Sequence, residues 1–225
     1  MESKLQSAED LERRVLRLGF LPFFRNAIAG FSVEENTPAG LWFEEGVEGP
    51  WEWKGPVIRN WNCTYGKLFC GKAGYVSLQW LPDLLNYRRA QYTPAEGSVE
   101  RRIYDTVAEH ESLLSREIKT LCGLQRGKAQ FGDMPRPRGT GFEAALTRLQ
   151  MATLLVIADF EYLLDKHGNP YGWGIARYVT PEALFGPEIA SCDRTPEESY
   201  SRILNHLRAT LPHATEPQLH RLLRF

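Results

Sequence analysis

Apolar positions recur at helical spacing first between Ala8 and Leu18, where Leu11, Val15 and Leu18 share one face and Gly19 supplies a stop. The same periodicity predicts a helix over 99–112, with Ile103, Val107 and His110 on one stripe. Another is predicted over 114–121, with Leu114, Ile118 and Leu121 inward and Gly123 after its end. Thr140-Gly141-Phe142-Glu143 reads as a capping box, and Phe142, Leu146 and Leu149 continue it as a third amphipathic helix. The spacing then shortens. Leu154 to Leu164 is rich in branched and aromatic residues, His167-Gly168-Asn169-Pro170-Tyr171-Gly172 supplies turn chemistry, and Trp173 to Val179 returns as a second strand. Helix, turn, helix, loop, helix, hairpin is the order of a winged helix-turn-helix, in which a recognition helix enters the major groove and a hairpin lies against the flanking backbone. The predicted fold class is therefore α+β: a smaller mixed α/β region over 1–98, a winged-helix domain over 99–190 and a C-terminal helical extension over 191–225. The same order also suits a small α+β domain that binds protein.

Thr37-Pro38 is expected to open a short helix through Leu41 and Trp42, and Gly55-Pro56 to form a turn. Trp61 to Phe69 and Gly74 to Val76 read as strands, Ser77 as the cap of a helix containing Trp80, Leu81, Leu84 and Leu85, and 91–98 as a linker. Thr180-Pro181-Glu182 and Thr195-Pro196-Glu197-Glu198 open two more helices, and Thr215 to Leu223 forms the last. The C-terminal pair either packs on the winged helix or joins a second copy as a homodimer.

Composition limits the function classes. The chain of 225 residues is 43% apolar, enough for ordinary cores, and lacks both a signal-peptide pattern and any apolar run approaching the ~20 residues that span a bilayer. A cytoplasmic protein without membrane contact is expected. Cys63, Cys70, Cys122 and Cys192 have no C-x-x-C spacing, so reduced thiols are expected, with Cys63 and Cys70 on neighbouring strands. The five histidines show no H-x-x-x-H or H-E-x-x-H spacing, and neither a G-x-S-x-G elbow nor a Walker A loop occurs. No metal and no cofactor are expected, and no catalytic residue is assigned.

A formal net charge of −1 excludes a protein that coats nucleic acid indiscriminately, so DNA binding has to rest on charge distribution. Residues 31–52 carry six glutamates and no Lys or Arg, whereas 53–92 carry six basic residues against Asp83 alone. Lys67 and Lys72 lie in the basic stretch, and Arg126, Lys128, Arg136 and Arg138 lie in the Pro/Gly-rich loop before the capping box. On the third helix Thr147 and Arg148 oppose the apolar face, and Lys166 and His167 stand at the hairpin tip. These ten residues are the candidate nucleic-acid contacts; for each singly, a solvated surface charge is an equal reading. Trp51, Trp53 and Trp61 are dense enough to serve either as core packing or as a platform for an unstacked base. Asp159 and Glu161 share a face of the first hairpin strand and are expected to pair with Arg177 across it.

Gly49-Pro50-Trp51-Glu52-Trp53-Lys54-Gly55-Pro56, Tyr65-Gly66-Lys67, Gly71-Lys72-Ala73-Gly74-Tyr75, Arg148-Leu149-Gln150-Met151, Asp159-Phe160-Glu161-Tyr162 and Tyr171-Gly172-Trp173-Gly174 together resemble the AlkZ-related proteins, relatives of the AlkZ winged-helix DNA glycosylases, from about Arg13 to Gly186. The resemblance implies DNA repair and double-stranded DNA as partner. It also implies a Gln-x-Gln or Gln-x-Asp motif just after an N-terminal helix, which positions a water for excision of alkylated bases. The matching place, Leu18 to Arg25, holds Pro22 and Phe24, and neither side chain can polarise water. The leading expectation is a DNA-binding protein without glycosylase chemistry. A glycosylase with other catalytic groups and a protein-interaction module are the alternatives.

Overall fold

The computed structural model describes residues 3–43, 46–124, 141–164, 166–168 and 170–225. Its first part runs α1 (Ala8–Leu18), β1 (Phe20–Pro22), α2 (Val33–Asn36), α3 (Pro50–Arg59), β2 (Cys63–Phe69) and β3 (Lys72–Ser77), followed by α4 (Leu81–Arg89). The next runs α5 (Val99–Glu109), β4 (Ser112–Leu114), α6 (Ser115–Leu121), α7 (Phe142–Met151), β5 (Val156–Leu164) and β6 (Pro170–Val179). The chain then adds α8 (Pro181–Phe185), α9 (Pro196–Thr210) and α10 (Glu216–Leu223). Each part has a three-stranded antiparallel sheet with its last strand in the middle, β1-β3-β2 and β4-β6-β5. The N-terminal region is thus mixed α/β as expected, and it repeats the element order of the part that follows. Strands of three residues, β1 and β4, are too short to show alternation, which hid the repeat in the sequence.

Helix ends follow local chemistry where the caps are strong. Ser7 accepts from the Asp10 amide and Gly19 stops α1 at φ +77°. Thr195 and Glu198 form a reciprocal box at α9, where Pro196 loses no hydrogen bond. Elsewhere the expectations need correction. Gly55-Pro56 is no turn: Pro56 lies inside α3, where burial of Trp53, Val57 and Ile58 outweighs the ~3 kcal/mol an interior proline costs. Ser77 belongs to β3, opposite Cys63, and α4 starts from Trp80 with Pro82 in its first turn. Thr37 does not cap; its hydroxyl donates to the Val33 carbonyl, and Pro38 precedes a single 3-10 turn. Gly141 caps α7, with Thr140 outside the described residues. His110 and Leu121 are exposed rather than inward. Cys63 lies on β2 and Cys70 in the turn after it, so they are not on neighbouring strands; all four thiols are free.

One core of buried residues continues from Leu5 to Leu223. Tyr65 of the first sheet meets Phe160 of the second edge to face, ring centroids 5.9 Å apart. The C-terminal helices fold back on the first part: α9 packs along α4, and His206 bonds the Leu18 carbonyl at 2.8 Å while stacking on Trp80 at 4.2 Å. No described helix is long and apolar enough to cross a membrane.

Candidate nucleic-acid interface

The β2–β3 hairpin lies against α7. Lys67 Nζ donates to Thr147 Oγ1 at 3.0 Å, and the Lys67 amide donates to Gln150 Oε1 at 3.0 Å. Gly71, at φ +74°, would bring a Cβ 3.5 Å from Thr147 Cγ2, so the hairpin turn sits directly over that part of the helix. Lys67 and Thr147 are therefore brought together as partners of each other. Arg148 is engaged by Glu100, which accepts from its Nε at 2.7 Å. Lys166 and His167 stand exposed at the far end of the β5–β6 hairpin, and Lys72 lines a cleft with Gln218, Arg221 and Leu222 of α10. Arg126, Lys128, Arg136 and Arg138 fall outside the described residues.

The three tryptophans separate. Trp53 is buried in the core; Trp61, 55% exposed, projects from a backbone at φ +61°; Trp51 is half-buried among aromatic rings. Its indole lies 5.3 Å from Phe23, 6.0 Å from Phe24 and 5.8 Å from Trp42 between ring centroids. Trp42, Trp51, Phe24 and Phe43 line a cleft of about 420 Å³, with Arg25 and Glu34 among its remaining walls. Glu34 is held in place by accepting the Arg25 amide at 2.8 Å. Phe24 and Arg25 both line the cleft, so it opens at the segment that follows β1. Trp42 and Phe43 were missed as site residues because they come from a separate loop, although aromatic residues on both sides of an acidic stretch were the available signal.

Lys54 sits behind this cluster, 8% exposed, with Nζ 4.7 Å from the Trp51 ring centroid and 4.3 Å from that of Phe160. Burial pushes its pKa down to about 8, while Glu52 pulls the other way. Ring quadrupoles offset part of the burial penalty by favouring the ammonium. Below pH 8 both folded and unfolded lysine are charged and the penalty is fully present. As pH rises from about 8 toward the unfolded value of ~10.4, the folded amine loses its proton first and the penalty is relieved. Wild type should therefore gain up to about 3 kcal/mol relative to Lys54→Met across that window, read as the difference between two urea titrations at each pH. The difference matters because the buried thiol of Cys63, pushed up to about 12, and the raised phenols of Tyr65, Tyr75 and Tyr178 act in the opposite sense. A flat difference would mean that Lys54 keeps its charge when folded.

On the second sheet, Glu161 pairs with Arg177 as expected, accepting from Nε at 2.7 Å. Asp159 is opposite Arg177 in register but takes Arg59 of α3 instead, at 2.8 Å, because a bulge between Ile157 and Asp159 re-aims the strand. Among the described residues no group of His, Cys, Asp and Glu could hold a metal ion.

The AlkZ-related family model matches residues 5–224, nearly the whole chain. No curated protein and no solved structure matches it. A family match over that length, running from before α1 to the end of α10, shows that the chain belongs to the AlkZ-related family.

Proposed function

We propose that this chain is a DNA-binding protein of winged-helix type, related to the AlkZ repair glycosylases, that holds an unstacked base without excising it. Two features support the winged-helix reading: the order α5-β4-α6-α7-β5-β6 with β6 central in its sheet, and the hairpin that follows the third helix. The observation that carries the base-holding reading is the aromatic cleft. Trp42, Trp51, Phe24 and Phe43 offer stacking faces worth about 1–3 kcal/mol per base. The reading without excision is supported by the resemblance, which implies a water-positioning amide or carboxylate in the segment where this chain has Pro22 and Phe24. Binding proteins that take a base out of the stack favour bases whose pairing is already weakened, which fits alkylated DNA as the partner.

The test is titration of a short labelled duplex, intact and alkylated, at two salt concentrations, with released base assayed in the same tubes. Salt-sensitive binding is expected, tighter on the alkylated duplex, with no base released. Phe43→Ala, at a side chain 82% exposed and therefore dispensable for folding, should remove most of the preference for alkylated DNA, about tenfold at the stacking energies above. Absence of binding to both duplexes would sink the proposal and favour the protein-interaction module. One feature favours a second reading, base excision: Glu34 places a carboxylate on the cleft wall. On that reading alkylated base is released, and Glu34→Gln abolishes the release while leaving binding intact.

A further inference from the structure

A second cleft, of about 320 Å³, lies between the loop after β1, the β2–β3 turn and α10. It gathers Arg25, Lys72 and Arg221 from three separate parts of the chain, and among the described residues no carboxylate lines it. This is unusual within a molecule of 27 basic and 28 acidic residues. Several other arginines have a carboxylate partner: Arg59 has Asp159, Arg101 has Asp105, Arg208 has Glu216. By contrast, the bond made by Lys72 Nζ is a long one, 3.5 Å to the Arg25 carbonyl. The guanidinium of Arg221 has no partner among the described residues, and that of Arg25 stays 3.7 Å from Glu35. Glu35 balances Arg25 in part, and bringing Lys72 and Arg221 to the same concavity, with no carboxylate partner for either among the described residues, is unfavourable unless an anion occupies it.

The walls are fixed independently of those cations. Gln218 Nε2 donates to the Ala27 carbonyl at 2.6 Å, the Cys70 thiol to the Arg221 carbonyl at 3.0 Å, and Asn26 spans its own loop with bonds to Phe31 and Ile28. Backbone-anchored walls leave the charged heads to the cavity. Phe69 and Leu222 supply apolar surface, so the volume suits a sugar phosphate better than a bare ion. Arg25 also lines the aromatic cleft, which makes the two cavities neighbours.

We propose that this cleft is a phosphate site, completed by α10, for the backbone phosphate next to the base held in the aromatic cleft. The proposal rests on the DNA-binding reading, and the experiment separates the two. The full chain and its Lys72→Ala, Arg221→Ala and doubly substituted variants are titrated against the labelled duplex over a series of salt concentrations, with Arg208→Ala as a surface control. Each single variant should bind about tenfold more weakly, as expected for losing a charge-assisted hydrogen bond, and flatten the log–log salt slope by up to about 0.9. Because one phosphate is shared, the double variant should flatten the slope by about 0.9 and not by twice that. Arg208→Ala should match wild type. Wild-type duplex binding that neither substitution alters would overturn the phosphate site and leave DNA binding standing. No duplex binding, together with a thermal shift by deoxyadenosine monophosphate that Arg221→Ala removes, would keep the site, assign it to a free nucleotide and overturn the DNA reading. Neither response would overturn both.

Discussion

Arg88→Met should destabilise the protein by about 3 kcal/mol, even though the side chain it removes is a buried charge. Arg88 is fully buried on α4, and burial pushes its pKa down to about 10. Its Nη1 donates to the carbonyl of Met151 at 2.7 Å and its Nη2 to that of Leu68 at 3.2 Å. Met151 ends α7, so its carbonyl is one of the four that a helix leaves without an internal partner, and the guanidinium closes that end from another element. Methionine keeps much of the volume but strands both carbonyls, at about 1–3 kcal/mol each, offset by the relief of burying the charge. Urea unfolding reads the net result. A loss under 1 kcal/mol would mean that the two bonds and the desolvation cancel. Hydrogen exchange should localise the damage to the end of α7 and the turn at Thr153, whose carbonyl is held by the neighbouring Arg89 at 3.1 Å.

The second large effect is expected at the other face of the same helix. Asp83 is fully buried and takes two arginines: Arg194 donates from Nε at 2.6 Å, and Arg202 reaches its other oxygen. The pair ties α4 to α9 and the segment before it, supported by Asn86 donating to Ser199 Oγ at 2.9 Å. Asp83→Asn keeps the shape and removes the charge. Breaking a buried ion pair from one side costs about 3–5 kcal/mol when the remaining charge is sealed in. The arginine side chains here are 42% and 37% exposed and keep water, so about 2–3 kcal/mol is expected in urea unfolding. Arg194→Ala should cost less, about 1 kcal/mol, because Arg202 remains. Equal losses for the two variants would show that Arg202 alone cannot hold the carboxylate, which then needs both partners.

What the sequence made legible was local. The stripe of Leu11, Val15 and Leu18 with Gly19 behind it, the Thr195-Pro196-Glu197-Glu198 start and the long β5–β6 hairpin each carry their signal within a dozen residues, and all three are present. Pro56 shows where local rules fail, since a proline that reads as a breaker is carried through a helix by the burial of its neighbours. The clefts were illegible for a different reason. Phe24, Trp42 and Trp51 meet in one wall and Arg25, Lys72 and Arg221 in another, and no periodicity reports such long-range meetings. Charge counting found the basic stretch containing Lys72, yet it had no means of showing that Arg148 and Lys67 would be engaged inside the molecule by Glu100 and Thr147.

The return of α9 and α10 onto the first part of the chain bears on the order in which the molecule can be assembled. A ribosome delivers residues from the N-terminus, so Arg25 and Lys72 emerge well before Arg221. The same holds for the Leu18 carbonyl, which waits for His206, and the Ala27 carbonyl, which waits for Gln218. The first sheet can form early from neighbouring strands, but the basic cleft gains its third wall when α10 docks. A nascent chain halted before that point exposes two of the cations on an open surface and lacks the enclosure that the complete chain builds around them.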